Sequence, residues 1–207
     1  MKYFYPKEHL QKISSLLSLD HALYVYSFNT IIYSNYIEGL QFEKVENKLG
    51  KYLSGSYYNY FPFMPVDWTI DIIFSLENLS SSKTPFIYLD RILAIRIVNG
   101  SLQVAYNGRW GYTRFTSLTQ ENEKKFHFLR LEYSFNNYIS IYLDSTFKKR
   151  SVRSRRIVDF RWNRKLSLFK AGSPIPIYYI SIMPRLSFNS YEKQKSIFNE
   201  IFNIEIV

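Results

Sequence analysis

The stretch "LAIRIVNGSLQVAYNGRWGYTRF", residues 93–115, decides the fold class of this chain. Its apolar and β-branched residues form short runs, which are separated by the pairs Asn99-Gly100 and Asn107-Gly108. Both residues of an Asn-Gly pair tolerate the positive φ of a tight turn, so each pair predicts a two-residue hairpin. We therefore expect three antiparallel strands, over residues 91–98, 101–106 and 110–116.

Similar strand patterns lie on both sides of this stretch. Runs of β-branched and aromatic residues predict further strands over residues 22–28, 39–45, 67–77, 125–135, 138–144, 165–171 and 176–184. Two of these runs are separated only by Asn136-Asn137, which predicts another hairpin. Strands do not alternate with helices, so a parallel α/β sheet is excluded. The pattern favours an all-β fold, an antiparallel β-sandwich or jelly roll.

Helical patterns are confined to the two ends of the chain. Pro6 suits a first helical position and precedes leucines and isoleucines spaced by three and four, and Ser190 suits an N-cap. No linker rich in Pro, Gly or Ser divides the chain. We therefore expect one domain, residues 1–207, with an N-terminal helical segment (1–20), a β-sandwich (22–184) containing a basic insertion (147–165), and a C-terminal helix (190–202).

The composition excludes several classes of protein. The chain has no cysteine, which excludes disulfide scaffolds, thiol catalysis and zinc sites with cysteine ligands. No apolar run reaches the roughly 18 residues of a membrane span. The first residues lack the apolar run and small-residue site of a secretory signal. We expect a soluble protein without a secretory signal, and the sequence does not specify a compartment.

Four segments resemble the concanavalin A-like lectin and glucanase superfamily, which includes the laminin G-like modules. They are "DWTIDIIFSLEN" (67–78), "LAIRIVNGSLQVAY" (93–106), "KKFHFLRLEYSFNNYISIYLD" (124–144) and "KLSLFKAGSPIPIYYISIMPRLSFNSYEKQ" (165–194). The resemblance covers residues 22–202 and implies a jelly roll that binds carbohydrate. The usual Asp-Gly turn is Asp144-Ser145 here, so an altered or longer turn is expected. The family also holds calcium on one rim, for which Asp90 or Asp144 could serve, but we expect no cofactor.

The segment "KKRSVRSRRIVDFRWNRK", residues 148–165, carries most of the charge of the chain. It contains nine basic residues and one acid, net +8, within a chain of net +10. The nine are Lys148, Lys149, Arg150, Arg153, Arg155, Arg156, Arg161, Arg164 and Lys165. Three interpretations remain open: a solvated loop, contact with an acidic protein surface or anionic polysaccharide, and binding of nucleic acid with Phe160 and Trp162 stacked on bases. Core packing explains those two rings more simply.

A second surface is suggested by aromatic residues in "SGSYYNYFPFMP", residues 54–65. We interpret this segment as a loop, bounded by Gly55, Pro62 and Pro65. Flat rings stack on sugar faces, which makes its aromatic residues candidates for glycan binding. They are Tyr57, Tyr58, Tyr60 and Phe61. Packing of these rings under a sandwich edge is the alternative.

No arrangement of residues predicts catalysis. Asp71 and Glu77 share one predicted strand, but at about 3.3 Å per residue they would lie about 20 Å apart, too far for a retaining glycosidase pair. His9, His21 and His127 are scattered, and alternation with Phe126 and Phe128 predicts that His127 faces outward. We expect no catalytic residue and no metal site.

The sequence thus favours a non-catalytic recognition or structural module, with glycan or a neighbouring subunit as its partner. Fold usage suggests a component of a larger assembly, such as a phage or virus particle. An RNA- or DNA-associated structural protein, for example a component of an organellar ribosome, is the first alternative. A glycoside hydrolase is the second.

Overall fold

The computed structural model describes residues 24–27, 30–34, 43–47, 50–54, 57–61, 67–75, 87–89, 93–98, 101–106, 113–115, 126–134, 138–144, 146–151, 164–168, 175, 177–183 and 185–207. Side chains are described for residues 67–75, 94–98, 102–105, 126–134, 139–144, 146–147, 175, 177–183 and 185–207. The predicted helix over residues 6–18 lies outside the described residues.

The described residues form fifteen strands and a C-terminal helix. The strands are β1 (Tyr24–Ser27), β2 (Thr30–Ser34), β3 (Glu43–Asn47), β4 (Gly50–Ser54), β5 (Tyr57–Phe61), β6 (Trp68–Ser75), β7 (Ile87–Leu89), β8 (Leu93–Val98), β9 (Ser101–Tyr106), β10 (Thr113–Phe115), β11 (Phe126–Ser134), β12 (Tyr138–Leu143), β13 (Thr146–Ser151), β14 (Arg164–Leu168) and β15 (Ile177–Met183). The helix is α1, Tyr191–Phe202.

Two antiparallel sheets contain all these strands. The nine-stranded sheet has the order β13-β12-β11-β6-β15-β1-β2, with β4 paired to β15 and β3 paired to β4. The six-stranded sheet has the order β10-β9-β8-β7-β14-β5. Both sheets carry fully buried apolar residues, as a β-sandwich requires. The all-β prediction is confirmed.

The centre of the nine-stranded sheet is buried on both faces. All eight residues of β6 are buried, although its side chains alternate between the faces. On one face Ile70 and Ile72 pack with the apolar positions of β11, β12 and β15. On the other face Ile73 belongs to a cluster that includes Phe198 of α1. The sheet is therefore the middle layer of the molecule.

The predicted turns are confirmed in part. Val98 pairs with Ser101, so Asn99-Gly100 is a two-residue turn. Thr113 pairs with Val104, two positions beyond the register that an uninterrupted two-residue hairpin at 107–108 would give. Asn107-Gly108 itself lies outside the described residues. The hairpin around Asn136-Asn137 exists, but because Ser134 pairs with Tyr138 its connection has three residues.

The turn between β12 and β13 keeps its two-residue length. Leu143 pairs with Thr146, and Asp144 has a φ of 51°. The Asp144 carboxylate stabilises this conformation, because its Oδ1 accepts a 3.2 Å hydrogen bond from the Phe128 backbone N–H. Its Oδ2 lies 2.8 Å from His127 Nδ1, which donates to it. The altered turn is thus not longer, since aspartate tolerates the left-handed region.

A buried ion pair joins β6 to β11. Arg130 and Asp71 are cross-strand partners, and the guanidinium donates two hydrogen bonds to the carboxylate, at 2.7 Å and 2.8 Å. Arg130 is only 1% exposed. Its remaining Nη1 donates to the Asn189 carbonyl at 2.8 Å, just before α1. The pair therefore satisfies its own polar groups and anchors the segment that leads into the helix.

Helix α1 begins and ends as its sequence predicts. Ser190 caps the N-terminus by accepting from the Lys193 N–H, and Asn203 ends the helix with a φ of 51°. Phe198 packs against the sheet, with its ring centroid 5.0 Å from that of Phe128 and 4.8 Å from that of Tyr179. The predicted helix over residues 190–202 is confirmed. Among the described residues, no helix is both long and apolar enough to cross a membrane.

Strands occur in the segment predicted to be an aromatic loop and at both ends of the basic insertion, which was expected to be a loop or hairpin. Residues 57–61, within the predicted aromatic loop 54–65, form β5. The predicted insertion 147–165 begins in β13 and ends in β14. The loop prediction for residues 57–61 is wrong, because Tyr and Phe residues can form a strand once a neighbouring strand supplies the hydrogen bonds. Residues 152–163 of the insertion lie outside the described residues.

We expect Asp71→Ala to lower the free energy of unfolding by about 3–5 kcal/mol, because it leaves the Arg130 guanidinium buried without its counter-charge. The double variant Asp71→Leu, Arg130→Met should lower the free energy of unfolding much less, because it removes both charges. Urea unfolding followed by circular dichroism measures both values. A single variant no less stable than the double variant would contradict this role of the pair.

We expect Asp144→Ala to lower the free energy of unfolding by about 2–4 kcal/mol, because alanine disfavours the left-handed conformation and the buried Phe128 N–H loses its acceptor. Asp144→Asn retains both properties and should cost clearly less. Thermal unfolding of the two variants under identical conditions gives the comparison. Equal losses would show that the charge, rather than the turn conformation, carries the effect.

Candidate functional site

The two ends of the basic segment lie in different sheets. Lys148, Lys149 and Arg150 belong to β13, the edge strand of the nine-stranded sheet. Arg164 and Lys165 begin β14 in the six-stranded sheet. The other members lie outside the described residues: Arg153, Arg155, Arg156 and Arg161, together with Phe160 and Trp162. The segment therefore connects two sheets and is not an insertion within one edge.

The structure brings the basic and aromatic candidates side by side. Strand β5, at the edge of the six-stranded sheet, pairs with β14. In this register Lys165 is opposite Tyr60, and Arg164 is opposite Phe61. Paired positions in an antiparallel ladder share one face of the sheet. Two sets of residues about a hundred positions apart thus meet on neighbouring strands.

The ladder also assigns these positions to faces. Ile87 pairs with both Leu168 and the buried Ile95, so positions 57, 61 and 164 lie on the core face. Tyr88 pairs with Ser167 and with Ala94, which is partly exposed. The opposite face, where Ala94 and Arg96 are partly exposed but Gln103 and Ala105 are buried, carries a set of positions that we call the basic–aromatic face: Tyr58, Tyr60, Tyr88, Arg96, Arg114 and Lys165.

Sequence reasoning missed half of this set. Arg96 is partly exposed and donates from Nε to Gln103 Oε1 at 3.0 Å, and Gln103 pairs with both Arg96 and Arg114. The alternation in "LAIRIV" could have identified Arg96, because it places Arg96 on the face opposite to the buried isoleucines. Which strand lies next to which could not be read from alternation alone.

A groove lies beside the nine-stranded sheet, between the β12–β13 hairpin and the start of α1. Its volume is about 470 Å³. Three acids line it, Glu132, Asp144 and Glu192, with three aromatic residues, Tyr142, Phe147 and Tyr191. The small polar residues Thr146, Ser187, Asn189 and Ser190 complete the described lining.

A column of rings leads from the core into this groove. The Tyr191 ring stacks on Phe128 at 4.6 Å and on Tyr142 at 5.3 Å, and Tyr142 contacts Phe147 at 4.8 Å between centroids. The Tyr191 hydroxyl donates to the Phe128 carbonyl at 2.8 Å, which holds the stack in place. At the end of the column Phe147 is 53% exposed. The column thus presents an apolar ring, supported from below, to solvent.

The acids of the groove differ in their surroundings. Burial raises the pKa of Glu132 above its ordinary value, and the attraction of the Arg130 guanidinium, 3.9 Å away, offsets only part of this effect. Glu192 is exposed in the first turn of α1. Burial, followed by the nearby Glu132 charge, also raises the pKa of Tyr142, so that its hydroxyl stays protonated at neutral pH.

His127 does not face outward, so that prediction is wrong. It is fully buried, its ring stacks on Phe74 at 5.4 Å, and Nδ1 donates to Asp144. The physical reason is that both faces of this sheet are covered, so alternation does not separate core from solvent. Both carboxylate oxygens of Asp144 take part in hydrogen bonds within the protein. Asp90, the other candidate for calcium binding, lies outside the described residues.

The predicted acids do not meet in a cleft. Asp71 is buried and bound by Arg130, while Glu77, His9 and His21 lie outside the described residues. No group of three or more His, Cys, Asp or Glu that could hold a metal ion occurs within the described part of the chain. Asp71, the described acid of the pair that was considered for glycosidase chemistry, therefore has a structural role.

No protein-family model and no curated protein matches this chain. Solved structures do match. The binding domain of botulinum neurotoxin serotype D superposes with a TM-score of 0.65 at 13% identity, over 87% of this chain and 52% of that one. The ligand-binding domain of the same serotype, in complex with N-acetylneuraminic acid, superposes with a TM-score of 0.63 at 12% identity. This match covers 93% of this chain and 52% of that one. A Trypanosoma rangeli sialidase superposes with a TM-score of 0.60 at 10% identity, over 93% of this chain and 38% of the sialidase.

These matches show a shared all-β fold and correct the expected family. The chain spans about half the length of the toxin binding domains. The assignment to the concanavalin A-like, laminin G-like superfamily is wrong, since the matched structures are toxin binding domains and a sialidase. The quoted segments are strands and hairpin turns, which any antiparallel sheet requires, so they indicate the fold class but not the family.

We expect Glu132→Gln to raise the free energy of unfolding at pH 7, because the fold disfavours the ionised carboxyl. A raised folded pKa makes wild-type stability fall as pH rises above the ordinary value of 4.5. The difference in free energy of unfolding between Glu132→Gln and the wild type should therefore shrink as the pH falls to 4.5 and below. Urea unfolding across this range measures it.

The matched control is Glu192→Gln, which neutralises an exposed acid of the same groove and should change stability by only a few tenths of a kcal/mol. A Glu132→Gln variant less stable than wild type at pH 7 would show that attraction to Arg130 outweighs burial.

Proposed function

We propose that this protein is a non-catalytic carbohydrate-recognition module that binds a carboxylate-bearing glycan on its basic–aromatic face. The observation that carries the proposal is the β5–β14 register, which pairs Lys165 with Tyr60 and Ser167 with Tyr58. This register sets aromatic and cationic positions next to each other on one face of a sheet.

The chemistry of such a face suits an acidic sugar. An aromatic ring stacks on the apolar face of a pyranose, while Lys or Arg binds a carboxylate by charge-assisted hydrogen bonds. Arg96 and Arg114 extend the cationic positions across the sheet. The shared fold with a toxin domain in complex with N-acetylneuraminic acid supports this ligand class.

Lys165 is the one residue of the basic segment 148–165 that belongs to the basic–aromatic face as we define it. A segment of net +8 raises the local concentration of anionic ligands even where it makes no specific contact. An acidic neighbouring subunit would be attracted by the same charge, and we keep it as the partner to be tested if no glycan binds. Nucleic acid is tested by its steep salt dependence.

We expect the wild-type protein to bind sialylated oligosaccharides more tightly than their desialylated counterparts on a glycan array. Tyr58→Ala with Tyr60→Ala should weaken binding about tenfold or more, through loss of stacking. Lys165→Ala should weaken it to a similar extent and reduce its dependence on salt. Isothermal titration with the best array ligand gives the affinities.

The matched control is Lys193→Ala, which removes an exposed lysine from α1. It should leave glycan affinity unchanged. Absence of sialylated ligands from the array would contradict the proposal. Binding of duplex DNA, with affinity falling at a log–log salt slope near −0.9 per phosphate contact, would replace it with nucleic-acid recognition.

A further inference from the structure

The groove beside α1 is separate from the basic–aromatic face, which lies on the other sheet. At about 470 Å³ it falls within the range of roughly 300–1,000 Å³ that is typical of small-molecule sites. It is formed by the β12–β13 hairpin and by the segment that Arg130 anchors through the Asn189 carbonyl. Elements on rigid, buried supports therefore shape it.

Phe147 gives the groove a stacking surface. A phenyl ring that is 53% exposed offers apolar surface that a ligand can bury. Tyr142 supports this ring from one side at 4.8 Å, and Tyr191 supports Tyr142 in turn. A ring held in this way loses little conformational entropy when a flat apolar face packs on it.

The polar lining of the groove consists of carboxylates, hydroxyls and the Asn189 amide, whose Nδ2 already donates to Gln194. Glu132 and Glu192 contribute carboxylates, and Ser187 contributes a hydroxyl. None of the described lining residues is Lys, Arg or His. Carboxylates accept hydrogen bonds from sugar hydroxyls, but they repel a ligand that carries its own carboxylate or phosphate.

We propose that this groove is a second carbohydrate subsite, which takes a neutral pyranose stacked on Phe147 with its hydroxyls donating to Glu132 and Glu192. The proposal rests on the proposed carbohydrate-recognition function, but it concerns different residues and the opposite ligand charge. The two subsites would let one module bind a glycan that carries both neutral and acidic sugars, or two chains at once.

The experiment compares variants on an array that contains both neutral and sialylated oligosaccharides, followed by titration with the best neutral ligand. Phe147→Ala should weaken neutral binding about tenfold or more and leave sialylated binding unchanged. Phe147→Tyr, which keeps a ring of similar size, should retain neutral binding. The matched control is Phe188→Ala, since Phe188 is 73% exposed but does not line the groove.

A measurement on the wild-type protein tests stacking without any variant. Saturation transfer from aromatic protons should reach the C–H protons of the bound neutral sugar. Absence of neutral ligands, equal neutral binding by Phe147→Ala and wild type, or no such transfer would overturn the proposal. Tyr58→Ala with Tyr60→Ala should remove only sialylated binding, so failure of the groove and failure of the basic–aromatic face give different results.

Discussion

The ion pair between Arg130 and Asp71 is the interaction on which the rest of the structure depends. It lies between the two central strands β6 and β11, where water cannot replace either partner. Because the guanidinium also holds the Asn189 carbonyl, it fixes the chain where that chain leaves the sheet and enters α1. Asn189 in turn donates from Nδ2 to Gln194 Oε1 at 2.8 Å, which extends the connection into the helix. The helix covers the sheet because this polar anchor and the Phe198 cluster act on the same face.

The groove is a consequence of that docking. The ring column that ends in Phe147 is assembled from β11, β12, β13 and α1, so it exists only when the helix is seated. The Asp144 turn joins β12 to its partner β13 at the same place, and the carboxylate ties the turn to β11. Structure and proposed recognition are therefore coupled: the contacts that stabilise the outer layer also form the wall of the groove. The basic–aromatic face depends instead on pairing within the six-stranded sheet.

Local patterns predicted those elements whose signals are local. Asn99-Gly100 sets its own turn, and Ser190 caps its own helix, so both were predicted from the sequence. His127 was misplaced because alternation predicts exposure only when one face of a strand meets water, and both faces of β11 are covered. Residues 57–61 were taken for a loop because the strand that pairs with them, β14, lies about a hundred residues away. The sequence identified Tyr58, Tyr60 and Lys165 as candidates, but neither their common face nor the other members of that face.

By itself, the sequence determined that the chain is all-β and antiparallel and where it places its positive charge. These properties depend on residue type and near-neighbour spacing, which the chain carries wherever it folds. Only the tertiary structure decided that Lys165 lies opposite Tyr60, that Asp71 neutralises Arg130, and that acids from three segments line one groove. Long-range strand pairing decides these contacts, since a shift of one residue in register exchanges the faces of a strand.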